Sequence, residues 1–205
     1  MGQVTARDTF AGEICGVGSE SGVRAVIGLW PVSPFGSVAD AMVEDSTGWR
    51  VLIAPDEGLA DYVGSIYSFD EVVIGPVACE RSADRLSFRG GPLRLDVTLG
   101  RRDALGWALH TVPRRVATSE AWVMFTDVIA RVLLEGVRTR GSTAGGTEFY
   151  AATDRHRVTG ISGEWNDSDI GEVRDVDPPV RFGFSSTTRQ PSIVEVTTTV
   201  RRSRE

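Results

Sequence analysis

The alternation of apolar and polar residues predicts that most of this chain consists of short β-strands. In the clearest case, leucine and valine at positions 93, 95, 97 and 99 alternate with Arg94, Asp96 and Thr98, which places one face of a strand in the core and the other in water. Runs of β-branched residues bounded by turn residues predict further strands. The predicted strands span residues 10–18, 24–30, 38–44, 49–54, 71–79, 85–88, 93–99, 148–152, 157–165, 172–176, 180–184 and 192–200.

The helical spacing of apolar residues predicts three helices, at about 56–67, 103–112 and 119–135. Asp56 and Asp103 are the expected N-caps of the first two, because an aspartate carboxylate accepts hydrogen bonds from the free N–H groups of a first helical turn. The third helix is apolar around most of its circumference, which predicts that it is buried and forms the core of the fold. Its expected core residues are Trp122, Phe125, Ile129 and Leu133.

The helix at 103–112 has two interpretations. Its apolar residues share one helical face, which favours packing beside the third helix. Arginines at both ends and Trp107 between them are also typical of helices that lie on a membrane surface. We favour packing, because the segment is short and the chain is acidic. The residues of the packing face are Leu105, Ala108, Leu109 and Val112.

The close spacing of the predicted strands leaves no room for the helical crossovers of a parallel sheet. We therefore expect an α+β fold, in which three helices cover a curved antiparallel β-sheet or a partly open β-barrel. A length of 205 residues suits one domain. Residues 1–205 show no internal repeat, linker or low-complexity segment, so we expect a single globular domain.

The amino-acid composition excludes several chemistries. All 22 basic residues are arginine, and there is no lysine for a Schiff base, a P-loop or covalently held pyridoxal phosphate. Cys15 and Cys79 are isolated, and no set of metal-binding side chains has workable spacing. We therefore predict no cofactor and no metal.

The charge distribution argues against nucleic acid as a partner. The net charge is −6, and residues 1–100 carry 7 arginines against 14 acids, whereas nucleic-acid binding needs a concentrated basic surface. The longest apolar run, 25–32, contains Pro31 and is too short to span a membrane. The first residues lack the pattern of a signal peptide, so we expect a soluble, cytoplasmic protein.

The segment after the third predicted helix is the strongest candidate for ligand binding. Its glycines allow backbone N–H groups to converge, and its arginines provide charged forks that suit carboxylate or phosphate. The alternative is a flexible connector whose arginines pair with nearby acids. The candidate anion-binding residues of this loop are Arg138, Arg140, Ser142, Gly145 and Gly146.

Asp154 and His156 are the candidate catalytic residues. On an extended segment they point to the same side as Tyr150, and a carboxylate that holds an imidazole makes it a general base. The alternative, which we favour, is that residues 153–156 form an exposed hairpin turn. His110 is interpreted as a helix-end residue that interacts with the helix dipole.

Two proline-containing segments carry a resemblance to other sequences. Residues 30–36, Trp-Pro-Val-Ser-Pro-Phe-Gly, and residues 178–186, Pro-Pro-Val-Arg-Phe-Gly-Phe-Ser-Ser, resemble those of a family of hypothetical proteins from high-GC bacteria. The similarity extends over most of the chain. It implies a shared fold, and the family has no known activity to carry over.

Three functions remain open at this point. The first is a binding domain whose concave sheet takes a small, partly apolar ligand. The second is an enzyme for a small anionic substrate, with Arg138 and Arg140 as a clamp and His156 as general base. The third is a structural or oligomer-forming protein without a pocket. Trp30, Trp49 and Trp165 either line such a pocket or fill the core.

Overall fold

The computed structural model describes residues 5–113, 140–143, 146–183 and 187–203, with the backbone alone described for 5–7, 140–143, 146–149 and 201–203. These ranges contain thirteen strands and two helices. The strands are β1 (Thr5–Ser19), β2 (Arg24–Val32), β3 (Val38–Glu44), β4 (Arg50–Ala54), β5 (Glu71–Ile74), β6 (Val77–Arg81), β7 (Arg85–Gly90), β8 (Leu93–Arg102), β9 (Arg140–Thr143), β10 (Gly146–Trp165), β11 (Ser168–Asp169), β12 (Val173–Arg174) and β13 (Ser192–Ser203). The helices are α1 (Glu57–Gly64) and α2 (Ala104–His110).

The strands form one sheet. Its main path runs in the order β5-β4-β3-β2-β1-β13-β10-β8-β7-β6, while β9 and β11 pair with β10 and β12 pairs with β1. The β4–β5 pair is parallel, and the other pairs of the path are antiparallel. The last strand in the sequence, β13, therefore lies between β1 and β10 in the middle of the sheet.

The sheet is curled, so that strands from its two ends pack on one another. Ile53 of β4 belongs to the same buried cluster as Phe88 of β7 and Leu95 of β8, although these strands are far apart along the path. The expected curved, mostly antiparallel sheet is thus confirmed as a half-barrel. The buried cluster also includes Cys15, Val17, Val23, Ala25, Ile27, Ala41, Val43, Val51, Leu86, Leu93, Val97, Leu99, Val158, Trp165, Ile170 and Ile193.

Strands β2 to β4 are buried on both faces. Ile27 and Val43 face the cluster inside the curled sheet, while their neighbours Val26 and Met42 pack on the opposite side with Ala60 of α1. Because successive side chains point to opposite faces of a strand, two covered faces require a continuous apolar run. Helix α1 is therefore a second layer over this half of the sheet.

Helix α1 begins as predicted, at the N-cap Asp56, whose carboxylate accepts a hydrogen bond from the backbone N–H of Leu59 at 2.9 Å. It ends at Gly64 with Ser65 as C-cap, so it is shorter than the predicted 56–67. Leu59 is fully buried. No helix within the described ranges is long and apolar enough to cross a membrane.

Helix α2 also has its predicted N-cap, Asp103, and Gly106 is its one buried residue. On the expected packing face, Ala108 is exposed and the other three residues are half-buried. Packing beside the third predicted helix stays a prediction, since that helix lies outside the described residues. A Cβ at Gly106 would lie 2.1 Å from the carbonyl oxygen of Arg155, so glycine is what lets the helix touch β10. The Asp103 carboxylate also forms a buried ion pair with the Arg155 guanidinium, which fixes α2 against that strand.

The third predicted helix, 119–135, lies outside the described residues, together with its core residues Trp122, Phe125, Ile129 and Leu133. The described part of the chain contains two of the three predicted helices. Its buried core is formed mainly by strands.

Three predicted strand boundaries need correction. The strand expected at 71–79 is split into β5 and β6 at Gly75-Pro76, because proline lacks the N–H that a sheet needs. The strands expected at 148–152 and 157–165 are one strand, β10. The turn expected at 153–156 is therefore wrong: these residues continue β10, with register shifts after Ala152 and after His156.

The strand expected at 180–184 is also wrong for the residues described, 180–183, which belong to no strand. Phe182 is nevertheless buried against the cluster beneath α1. Arg181 anchors the segment, since its backbone N–H and its Nε donate to the buried Glu44 carboxylate at 2.7 and 2.8 Å. Of the strand expected at 172–176, only Val173–Arg174 forms one.

Candidate functional site

A small cavity lies between α1 and the face of the sheet that the helix covers. Its volume is about 60 Å³. Five strands, helix α1 and the turn after α1 form the wall. Its residues therefore come from both the first third and the last third of the sequence. The lining residues from the strands are Phe10, Ile14, Val26, Gly28, Trp30, Asp40, Met42, Tyr150, Thr198 and Val200, and those from the helix and turn are Leu59, Tyr62, Val63, Ile66 and Tyr67.

Asp40 is the one acidic residue among the described residues of this wall. It is 5% exposed, and its Oδ1 accepts a hydrogen bond from the Trp30 indole N–H at 2.9 Å. Gly28 is paired with Asp40 across β2 and β3, and a Cβ at Gly28 would lie 2.3 Å from the indole nitrogen and 2.6 Å from Oδ1. Glycine at this position therefore makes room for the hydrogen bond.

The second oxygen of Asp40, Oδ2, receives no hydrogen bond from any described residue. The Thr198 hydroxyl, on β13, is fully buried and also has no partner within the described part of the chain. Asp40 Oδ2 differs from it in keeping some accessible surface, and both residues line the cavity. Buried polar atoms in proteins are nearly always hydrogen-bonded, so these two oxygens mark the cavity as a site for a ligand or for water.

The remaining polar groups of the cavity are tyrosine hydroxyls. The hydroxyl oxygens of Tyr67 and Tyr150 lie 2.5 Å apart and share a hydrogen bond. This contact joins the turn after α1 to β10 across the cavity. The Tyr62 hydroxyl donates to the Asp8 carboxylate at 3.3 Å.

The described part of the cavity wall is acidic in character. It contains Asp40 and neither arginine nor histidine. Burial raises the pKa of Asp40 to about 7, and the hydrogen bond from Trp30 offsets only part of that effect. At neutral pH, the cavity therefore holds a carboxyl group that is close to its point of half-ionisation, and no described residue of the wall carries a positive charge.

The candidate catalytic residues lie elsewhere, at the contact of α2 with the sheet. Arg102 donates to both oxygens of Asp154, at 2.7 and 2.6 Å. His156 Nε2 and His110 Nδ1 lie 3.7 and 3.8 Å from Oδ2 of Asp154, beyond hydrogen-bonding distance. Burial raises the pKa of Asp154, but hydrogen bonds led by those from Arg102 outweigh it and leave the pKa below its usual value. The Asp154 carboxylate is therefore bound to Arg102, and neither histidine forms a hydrogen bond with it.

His156 is oriented by a second contact. Its Nδ1 lies 3.1 Å from the carbonyl oxygen of Gly100, so that nitrogen carries the proton and Nε2 faces Asp154. The structure therefore brings Asp154 and His156 close together on β10, whereas Tyr150, expected on the same side, lines the cavity beneath α1. Their catalytic role stays a prediction.

The predicted anion-binding loop is a hairpin where it is described. Arg138 and Gly145 lie outside the described residues. Arg140 and Ser142 belong to β9, and Gly146 begins β10, with which β9 pairs in antiparallel register. The expectation of a loop is thus corrected to a strand pair, and anion binding by its side chains stays a prediction.

A second recess, of about 400 Å³, lies at the surface. It is lined by Trp49, Arg50, Asp70 and Arg181, among others. Arg50 donates to both oxygens of Asp70, at 2.9 and 2.8 Å, and Arg181 is bound to Glu44, so both guanidinium groups already have counter-charges. Trp49 is 48% exposed and fills no core. Among the described side chains, no group of three or more His, Cys, Asp or Glu could hold a metal ion.

The sequence did not single out Asp40 or Thr198. One signal was present for Asp40, since it interrupts the apolar run from Val38 to Val43, and aspartate is almost never buried without a reason. No comparable signal exists for Thr198, because threonine is common in strands. Of the tryptophans named at the outset, Trp30 lines the cavity and Trp165 is in the core.

The chain matches no protein-family model and no curated protein sequence. Among solved structures, it is similar to the crystal structure of an acetoacetate decarboxylase from Legionella pneumophila, with a TM-score of 0.44 and 11% sequence identity. The alignment covers 100% of this chain and 88% of the other. A similarity this low does not indicate a shared function.

Proposed function

We propose that this protein binds a small, mostly apolar molecule in the cavity beneath α1. Two oxygens, Asp40 Oδ2 and Thr198 Oγ1, carry the proposal, because neither has a hydrogen-bond partner among the described residues. The rest of the described wall is mostly aromatic and aliphatic. A buried polar atom without a partner costs roughly 1–3 kcal/mol. A ligand with an apolar body and one polar end removes that cost while it fills the apolar space.

The size of the cavity limits the ligand. A volume of about 60 Å³ is less than half of the roughly 150 Å³ that holds a benzene molecule in an engineered protein cavity. The part of the ligand that enters is therefore about three to five non-hydrogen atoms long. A short aliphatic chain with a single polar group meets this limit.

The test is a titration of small probes that share a propyl chain and differ in their polar end: 1-propanol, propylamine and propionate. Binding is read from the NMR signal of the Trp30 indole N–H, identified by its loss in Trp30→Phe. We expect at least one probe to shift this signal and to raise the melting temperature, because a ligand that binds only the native state stabilises it.

Thr198→Val tests whether a probe binds in the cavity or at another surface. Valine keeps the shape of threonine and removes the hydroxyl that lacks a partner, so the probe that binds most tightly should bind several-fold more weakly. Thr159→Val is the matched control, since Thr159 lies on β10 with an exposed side chain and should leave binding unchanged. If no probe shifts the Trp30 signal, or if both variants bind like the parent, the cavity is filled by water alone and the proposal is wrong.

We propose acid–base catalysis at Asp154 and His156 as a second candidate. It is supported by the contact of His156 Nδ1 with the Gly100 carbonyl oxygen, which fixes the ring proton on Nδ1 and leaves Nε2 able to accept a proton. A probe that binds at this position should perturb the imidazole signals of His156 and His110, and His156→Gln should abolish any turnover without changing the propyl-probe titration. Turnover that survives this substitution excludes His156 as the base.

A further inference from the structure

We infer that the cavity beneath α1 selects a small primary ammonium ion, which pairs with Asp40 while its short chain lies among the aromatic rings. The inference rests on the proposed function and adds the chemical class of the ligand. The charges that line the cavity discriminate between an anion, a neutral molecule and a cation.

An anion is disfavoured by the charges of the described wall. The lining residues within the described ranges include one carboxyl, Asp40, and neither arginine nor histidine. A carboxylate or phosphate that entered would add a second negative charge in a place shielded from water, where charge repulsion is strong.

A cation is favoured by the partner that Asp40 lacks. One oxygen of its carboxyl accepts from Trp30, and no described residue supplies a donor to the other. A buried carboxylate is costly unless it is paired with a cation and hydrogen-bonded. An ammonium group supplies both the charge and the hydrogen bond, and a charge-assisted bond of this type is stronger than a neutral one.

A primary ammonium also fits the number of acceptors. It has three N–H donors and no acceptor, whereas Asp40 Oδ2 and the Thr198 hydroxyl, both on residues that line the cavity, have no hydrogen-bond donor among the described residues. The aromatic rings of Phe10, Trp30 and Tyr62 belong to the same wall. Aromatic faces attract cations, and they do so more strongly where water is excluded.

The ionisation of Asp40 couples this binding to pH. Burial raises the pKa of Asp40 to about 7, whereas alkylamines, like the lysine side chain, stay protonated through this range. The ionisable groups beside Asp40 in the described wall are the hydroxyls of Tyr62, Tyr67 and Tyr150. The Cys79 thiol of β6 packs against the cluster inside the curled sheet, and its pKa is raised mainly by burial and further by the charges of Glu13 and Asp40. An ammonium ligand requires ionised Asp40, so its affinity should fall as the pH drops below about 7.

The experiment compares propylamine, 1-propanol and propionate at equal ionic strength and pH 8, with the Trp30 indole signal as readout. We expect propylamine to bind at least about tenfold more tightly than 1-propanol, and propionate not to bind. Between pH 8 and pH 5 the amine should weaken by more than about tenfold, while 1-propanol should keep its affinity.

Asp40→Asn is the matched variant, because an asparagine side chain can still accept the hydrogen bond from Trp30 and lacks the charge. It should lose the preference for the amine and keep its affinity for 1-propanol. If the alcohol and the amine bind alike, or if Asp40→Asn keeps the preference, the inference is overturned and the proposed function stands. If no probe binds the parent protein, both fail together.

Discussion

The Trp30 indole N–H donates to Oδ1 of Asp40 at 2.9 Å, from the strand next to the one that carries the carboxyl. This hydrogen bond holds one oxygen of the buried acid and leaves the other for the cavity. It also depends on Gly28, because a side chain at that position would occupy the space between the two groups. Three residues on two strands therefore define the polar end of the candidate site.

Gly28→Ala is expected to destabilise the protein by roughly 1–3 kcal/mol, the usual cost of forcing an extra carbon into a packed site. The added Cβ would lie 2.3 Å from the Trp30 indole nitrogen, so the Trp30–Asp40 hydrogen bond should break. Gly64→Ala is the control, because nothing lies within 4 Å of its Cβ position and alanine favours a helix. Urea denaturation of both variants measures the difference, and equal stabilities would contradict the role given to Gly28.

Asp40 is expected to make stability fall as the pH rises. Its pKa is raised from 3.8 to about 7 in the folded protein, so the folded state holds the proton more tightly than the unfolded state does. The stabilisation is complete below the unfolded value and is lost as the pH rises through about 7. Relative to Asp40→Asn, the parent should lose roughly 2–3 kcal/mol between pH 5 and pH 8. A constant difference across this range would show that Asp40 titrates normally.

Thr198→Val is expected to leave the unliganded protein as stable as the parent or more stable, by up to about 1–2 kcal/mol. The reason is that the substitution removes a buried hydroxyl without a hydrogen-bond partner among the described residues and keeps the shape of the side chain. Thermal unfolding without added ligand measures this. A clear loss of stability would mean that the hydroxyl already has a partner, such as a tightly bound water.

Much of the fold could be predicted from local pattern. The alternation in β8 is confirmed, with Leu93, Leu95 and Val97 buried and Arg94 exposed. Asp56 caps α1 as expected, because capping depends only on residues within one turn. The 20-residue strand β10 was missed, since its register shifts interrupt the period of two around Asp154 and imitate a turn.

The candidate site could not be predicted in the same way, because it depends on which strands become neighbours. Thr198 and Tyr150 reach the cavity only because β13 and β10 follow β1 in the sheet. Nothing in the sequence near Asp40 indicates these partners. The alternation of buried and exposed residues along one strand can be predicted from its own sequence. The order of the strands depends on the packing of the whole sheet.

A buried ion cluster at Glu44 joins distant parts of the chain. The Glu44 side chain is fully buried and accepts from the backbone N–H and the Nε of Arg181 at 2.7 and 2.8 Å. Arg24 lies 3.2 Å from the same carboxylate and donates to the carbonyl oxygen of Pro178 at 2.9 Å. One carboxylate therefore connects β2 and β3 with the segment around residue 180.

Glu44→Gln is expected to destabilise the protein by roughly 3–5 kcal/mol, because it leaves the buried Arg24 guanidinium without its counter-charge. The exposed pair of Arg94 and Glu164, 3.2 Å apart with side chains about half exposed, provides the control. Glu164→Gln should change little, since water already solvates both groups. Urea denaturation at pH 7 compares the two variants, and proteolysis within residues 175–183 reports whether that segment detaches.

Because the loss comes from an unpaired charge, replacing Arg24 as well, by methionine, should restore part of the stability. A double variant that is weaker than Glu44→Gln alone would show instead that the two residues stabilise the fold independently.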